Sequence, residues 1–99
     1  MYLDDLAAQI RSRVSPELLP EGDTALLFRL YALLALVKGT AVRDEDVHDA
    51  WTVWMMQQDP DHGSIRSFKS LPARVQDADR PFLTAIREVA MIRERADPQ

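Results

Sequence analysis

The chain has 99 residues, a net charge of −4 and no cysteine, and 46% of its residues are apolar. This size and composition fit one folded domain over residues 1–99, and the missing cysteine excludes disulfides, thiolate catalysis and cysteine-ligated metal centres. The net negative charge argues against nucleic acid as a partner, because neutralisation of phosphates dominates the affinity of DNA-binding proteins.

The first part of the chain predicts two helices. The first spans about residues 2–14, with apolar residues at helical spacing. The second spans about residues 23–38, with Asp23 as a good N-cap and Gly39 as a left-handed C-cap. The second helix is apolar on nearly every side, which predicts a central position with neighbours all round. Its one interior charge, Arg29, is expected to reach the surface or to pair with a carboxylate of another helix.

The second part predicts two further helices and an ordered loop. The third helix spans about residues 43–58, and the fourth begins near Asp79 and continues to about residue 93. Between them lie a loop at 59–71, which apolar side chains can pin to the core, and a short helical turn at 72–78. The last three residues, 97–99, are expected to fray. No alternating strand pattern is present, so the prediction is all-α: a single small domain of four helices with a packed loop between helices three and four.

The sequence predicts neither a signal peptide nor a membrane-spanning helix. The N-terminal residues are acidic where a signal peptide would be basic. The longest apolar run, residues 30–37, is shorter than the roughly 20 residues that a membrane span needs. We therefore expect a cytoplasmic protein with no membrane partner.

Trp51 and Trp54 lie three residues apart and project from overlapping sides of the third helix. One interpretation is that both close the core, with their ring N–H groups bonded to a carbonyl or to water. The other is that one ring lines a pocket for a planar or cationic ligand, with Phe68 or Tyr31 opposite, or forms a hot spot for a protein partner.

His48 lies on the same helix and allows three interpretations. The first is a surface or half-buried histidine bonded to Asp44, four residues earlier. The second is a metal site with His62 and Asp46, although the spacing of the two histidines matches no compact ligand motif. The third is a general base in a small enzyme, with Asp44 or Asp49, although no serine or threonine lies in a recognisable nucleophile elbow. We predict no metal, no cofactor and no catalysis.

Basic residues cluster in and after the loop: Arg66, Lys69, Arg74 and Arg80. They form either a solvated loop or a patch that recognises an anion beside the tryptophan helix. In the second case, replacing Arg66 and Lys69 should change binding and leave stability intact.

The short turn at residues 39–42 gives helices two and three the character of a helix-turn-helix DNA reader. However, the third helix opens with Asp44, Glu45 and Asp46, where DNA phosphates would lie. A DNA-binding regulator acting as a dimer is therefore the alternative and not the main prediction. Helices one and four either cover the central helix or leave a seam for a second copy, so a homodimer is open.

Residues 45–86 carry a series of short motifs. It consists of Val47-His48-Asp49-x-Trp51, His62, Phe68-x-x-Leu71-Pro72 and Asp79-Arg80. In this order the segment resembles the ryanodine-receptor repeat domain, although Asp49 replaces a glutamate, Gly63 replaces a proline and a Gly-Trp-x-x-Gly element is missing. The whole chain is also similar to short uncharacterised proteins of actinobacteria and their phages, which share the phrases Leu-Leu-Pro-x-Gly-Asp and Val-His-Asp-Ala-Trp. That similarity implies an origin but no activity.

The sequence thus predicts a small, non-catalytic binding or interaction module of actinobacterial or actinophage origin. Its partner is expected to be a host protein or a small anionic ligand. The predicted ligand- or partner-binding residues are Trp51, Trp54, His48, Phe68, Arg66, Lys69 and Arg80.

Overall fold

The computed structural model describes residues 1–96, in which helices are joined by turns and loops and no β-strand occurs. The helices are α1 (Tyr2–Ser12), α2 (Ala25–Lys38), α3 (Asp44–Gln58), the short α4 (Ala73–Asp77) and α5 (Arg80–Ala96). Short 3₁₀ turns lie at Pro16–Leu18, Gly39–Ala41 and Phe68–Ser70. The all-α class is confirmed, with four long helices and a packed loop that precedes α5. The fraying predicted for residues 97–99 lies outside the described residues.

Helix α2 packs against α1, α3 and α5 and supplies the centre of the core. Phe28 and Tyr31 pack edge to face there, with ring centroids 5.5 Å apart. The prediction that α2 has neighbours on every side was wrong, because Leu33 and Val37 on its outer face are 47% and 72% exposed. Arg29 pairs with Asp4 of α1 at 2.7 Å, as predicted for a charge that meets a carboxylate of another helix.

The ends of α2 follow from its flanking residues. The helix begins at Ala25, and its N-cap residue is Thr24, so the predicted N-cap Asp23 lies one residue too early. The Asp23 Oδ1 still accepts a hydrogen bond from the Ala25 amide at 2.9 Å. Gly39 ends the helix at φ +57°, a conformation that side chains with a Cβ rarely adopt. Helix α1 ends at Ser12 instead of Val14, and the Val14 side chain is buried beyond the helix end.

Contacts between α3 and α5 bring the candidate site together. Helix α5 buries one face against the core, formed by Phe82, Leu83, Ala85, Ile86, Val89 and Ala90. At its start, Arg80 pairs with Asp44 in the first turn of α3, with Nε and Oδ1 3.3 Å apart. About two turns further on, Arg87 donates from Nε to the carbonyl of Val42, just before α3, at 2.8 Å. These contacts hold the first turn of α5, and Asp79 just before it, beside α3.

The loop between α3 and α4 is ordered by its packing on α3 and by hydrogen bonds from α4. Leu71 is buried, and Phe68 is half-buried against α3. The Gln76 amide donates hydrogen bonds of 3.0 Å to the carbonyls of both Phe68 and Leu71. The predicted packing of this loop is confirmed.

Candidate functional site: the Trp51 cleft

Two cavities share the lining residues Trp51, Ala78 and Asp79, and together we call them the Trp51 cleft. The inner cavity has a volume of about 160 Å³ and is also lined by His48, Ser64 and Val75. The outer groove has a volume of about 330 Å³. Its remaining lining residues are Leu18, Pro20, Tyr31, Asp77, Pro81 and Phe82. The cleft therefore joins α2, α3 and the segment that leads into α5.

His48 anchors the loop and presents one ring nitrogen towards Asp79. The side chain is only 3% exposed, and its Nε2 lies 2.7 Å from the backbone carbonyl of Arg66. A carbonyl can only accept, so Nε2 carries a hydrogen and donates it. In the neutral ring, Nδ1 is then unprotonated, and it lies 3.9 Å from Oδ2 of Asp79. The predicted bond to Asp44 was wrong, because Asp44 pairs with Arg80 and the loop backbone takes its place beside His48.

Aromatic rings pack around His48 and Trp51, two of the residues that line the inner cavity. The Trp51 ring stacks on His48, with centroids 5.5 Å apart and planes 20° apart. His62 meets Trp51 edge-on at 5.1 Å, and Phe68 lies 6.2 Å from the His48 ring. The His62 ring is itself held by the Ser64 amide, which donates to Nδ1 at 3.0 Å. Trp51 is thus fixed in place while remaining half-buried at the border of both cavities.

Asp79 is the carboxyl at the centre of the cleft. Its side chain is 16% exposed, and within residues 1–96 no hydrogen bond reaches its carboxylate. Its backbone carbonyl accepts from the amides of Phe82 and Leu83, so the residue opens α5 without its side chain serving as a cap. Burial raises the pKa of Asp79 from 3.8 to about 6; the nearby His48 opposes this shift and Asp44 adds to it.

Tyr31 contributes a second polar group to the outer groove. It is 1% exposed, yet it lines the groove. In the described part of the chain its hydroxyl makes no hydrogen bond, and no side-chain N or O atom shut off from solvent lacks a partner. The hydroxyl therefore keeps some contact with solvent, and Tyr31 meets solvent where it lines the groove. Burial, together with the nearby Asp79 carboxylate, raises the pKa of Tyr31 well above its ordinary value, so this group is a neutral phenol.

The structure separates the two predicted tryptophans. Trp54 is buried in the core, and its Nε1–H donates to the carbonyl of Asp23 at 3.1 Å, as the core interpretation requires. Trp51 lines the cleft, as the pocket interpretation requires, and shares the outer groove with Tyr31. Phe68 contacts the His48 ring and is not a lining residue of either cavity.

The predicted basic residues lie outside the cleft. Arg66 folds back onto its own loop and donates to the hydroxyl and carbonyl oxygens of Ser70, at 3.2 and 3.1 Å. Arg80 is held by Asp44, and Lys69 is exposed. No lysine or arginine is among the residues that line the two cavities.

Metal ligands do not assemble around His48. Asp46 pairs with Lys38 at 2.9 Å, and His62 packs on Trp51, so the predicted partners of a metal site point elsewhere. Among residues 1–96, no three side chains of the metal-binding types come together.

In the same range, no helix combines the length and apolar character needed to cross a bilayer.

Sequence reasoning missed Asp79 as a site residue, and it named Tyr31 only as one of two rings that could face a tryptophan-lined pocket. Asp79 was recognised only as part of an Asp-Arg helix start, and Tyr31 lay inside an apolar helix. Neither has a local sequence signal for its position, since the cleft depends on how α2 and α5 pack. A tyrosine among leucines is the one available hint, because its hydroxyl needs a polar or solvated neighbour.

The fold and the cleft define a small all-α domain with an aromatic, acidic pocket. The chain belongs to a family described as a domain of unknown function (DUF7701), which matches residues 1–91. The matched region contains every lining residue of the cleft. No curated protein and no solved structure matches the chain.

Proposed function

We propose that this protein is a small, non-catalytic binding module and that the Trp51 cleft is its ligand site. The observation that carries the proposal is the Asp79 carboxyl, largely buried and without a hydrogen-bond partner in residues 1–96. Burying such a group without a partner is unfavourable, and a carboxyl with a raised pKa in a cleft is typical of a functional site. Since no side-chain oxygen of residues 1–96 that is shut off from solvent lacks a partner, the Asp79 carboxylate keeps contact with solvent, and a bound ligand would replace that contact.

The dimensions of the cleft favour a small ligand. Pockets that hold small molecules usually have volumes of about 300–1,000 Å³, and their walls are mostly apolar with few polar groups. The outer groove, at about 330 Å³, falls at the lower end of this range. The inner cavity, at about 160 Å³, has room only for a substituent. A ligand in the outer groove would lie against Trp51 and Asp79.

The hydrogen bonding of His48 supports binding over catalysis. His48, Ser64 and Asp79 line the same inner cavity, and these are the residue types of a hydrolytic triad. A triad requires one imidazole nitrogen to accept the serine proton while the other donates to the carboxylate. Here Nε2 already donates to the Arg66 carbonyl, and Nδ1 lies 3.9 Å from Asp79, beyond hydrogen-bond distance. His48, the general base in one interpretation of the sequence, is therefore not positioned to accept a proton from Ser64.

The other predicted partners would use different surfaces. A host protein or an anionic ligand bound through Arg66 and Lys69 would contact the outside of the loop. DNA would meet the carboxylates of Asp44, Glu45 and Asp46 at the start of α3, and that charge opposes a phosphate backbone. The resemblance to the ryanodine-receptor repeat domain, the actinobacterial or actinophage origin and the cytoplasmic location are kept as expectations.

A thermal-shift screen read by tryptophan fluorescence tests the proposal with a panel of small amines, nucleosides and carboxylates. A ligand present at about 100 times its dissociation constant stabilises a protein by about 2.7 kcal/mol, which is several degrees for a domain of this size. Ala78→Leu should abolish or weaken the shift, because Ala78 lines both cavities and a larger side chain at this position would obstruct them. Ala8→Leu, on the exposed side of α1, is the matched control.

The outcomes separate the possible surfaces. A shift lost in Ala78→Leu and kept in an Arg66→Ala/Lys69→Ala double variant supports the cleft. A shift lost only in the double variant would move the site to the basic loop and contradict the proposal. A panel without any hit would overturn small-molecule binding.

A further inference from the structure

The outer groove carries negative charge and no positive charge of its own. Asp77 and Asp79 both line it, and no lysine, arginine or histidine does. Asp77 is exposed at the rim, whereas Asp79 lies deeper with its side chain 16% exposed. An anionic ligand in this groove would face two carboxylates, while a cation would be attracted by both.

Aromatic and apolar groups form the rest of the groove. Trp51, Tyr31 and Phe82 are lining residues, and the Tyr31 and Phe82 rings lie 5.7 Å apart. The negative face of an aromatic ring attracts organic cations, and tryptophan does so most strongly. The hydroxyl of Tyr31, which keeps some contact with solvent, adds an oxygen that can accept from an N–H donor.

The same walls argue against a metal ion. Hard divalent cations require six or more oxygen ligands, or several ordered waters, around them. The groove offers two carboxyls and one phenol among leucine, proline and aromatic side chains. Such walls suit a cation with an apolar body.

From this arrangement we infer that the outer groove of the Trp51 cleft recognises an ammonium or methylated ammonium group, held between the Trp51 and Tyr31 side chains and the carboxylates of Asp77 and Asp79. The inference rests on the proposed binding function and specifies the class of its ligand. The inferred ligand is a cation, whereas Arg66 and Lys69 had indicated an anion. Those two side chains lie outside the groove and do not contact its ligand.

The experiment compares two probes of nearly the same shape, choline and 3,3-dimethyl-1-butanol, in which carbon replaces the charged nitrogen. Both are titrated into the full chain at matched ionic strength and followed by tryptophan fluorescence. We expect choline to bind at least about tenfold more tightly than the neutral probe, the size of effect expected for a cation that an aromatic face and a nearby carboxylate hold together. Asp79→Asn should remove most of this difference, and Asp49→Asn, an exposed carboxyl on α3, should leave it unchanged.

Each alternative result has a separate meaning. Equal affinity for the two probes would overturn the inference that the groove recognises a positive charge. The groove would then select its ligand by shape alone. Binding of a carboxylate from the screening panel, but not of choline, would overturn the inference in favour of an anion. If choline, the neutral probe and the whole panel all fail to bind, the proposed function falls together with the inference. Circular dichroism of Asp79→Asn establishes that a lost affinity is not a lost fold.

Discussion

Asp79→Asn should stabilise this protein at neutral pH, which is unusual for a substitution at a largely buried residue. The raised pKa of Asp79, about 6 against an ordinary 3.8, means that the folded chain holds a proton that the unfolded chain has already released in the window between these values. Stability therefore falls as pH rises through this window, and the loss is nearly complete about one pH unit above the folded-state pKa. Asparagine has nearly the same shape and carries no charge to desolvate.

The size of the effect follows from the shift. About two pK units at about 1.4 kcal/mol each give an upper limit of about 3 kcal/mol, and partial solvent access reduces it. We expect Asp79→Asn to raise the free energy of unfolding by about 1–3 kcal/mol near pH 8 and by much less near pH 4. Groups that face Asp79 include His48 and Asp44 on α3, Tyr31 on α2 and Asp77 on α4.

Urea unfolding followed by tryptophan fluorescence measures this difference at both pH values. Subtracting the wild-type value cancels the titration of groups that the two chains share. Asp49→Asn is the control, because an exposed substitution usually changes stability by less than about 0.5 kcal/mol. A variant that is less stable than the wild type near pH 8, or a gain that is equal at both pH values, would refute the reasoning about the buried carboxyl.

Three further predictions concern the loop, the core and a helix end. His48→Phe removes the bond to the Arg66 carbonyl, so the loop should open more often and trypsin should cut after Arg66 about tenfold faster; an unchanged initial rate of cleavage would contradict this anchor. Trp54→Ala should lower the free energy of unfolding by about 3–5 kcal/mol and Trp51→Ala by clearly less, and equal losses in urea titrations would argue against the assignment of Trp54 to the core. Gly39→Ala should lower stability by about 1–3 kcal/mol because φ is +57°, and a melting temperature equal to that of the wild type would disprove this strain.

Periodicity was sufficient to predict the helices, because an apolar face at helical spacing is a local property of the sequence. The residues that α5 buries, from Phe82 to Ala90, recur at helical spacing, as expected for the predicted fourth helix. Helix ends were less predictable, since α2 begins two residues after Asp23 and α1 ends before Val14. The uncovered face of α2 could not be predicted either, because apolar composition does not say which neighbours are present.

The cleft was predictable only in part. The sequence indicated that one tryptophan could line a pocket opposite Tyr31, and the spacing of Trp51 and Trp54 could not say which one. The true partner of His48 is a backbone carbonyl far along the chain, a contact that no side-chain pattern records. The burial of Asp79 depends on α3, α4 and α5 meeting at one point, so it has no local signature.

The two tryptophans make one measurement the most direct test of the account. Their indole N–H groups give separate signals in a ¹H–¹⁵N spectrum, one from the cleft and one from the core, where Trp54 is bonded to the Asp23 carbonyl. Titration with choline should move the Trp51 signal saturably and leave the Trp54 signal in place, and Asp79→Asn should weaken the response. A stationary Trp51 signal, or an equal response in Asp79→Asn, would contradict a cation-binding site at the Trp51 cleft.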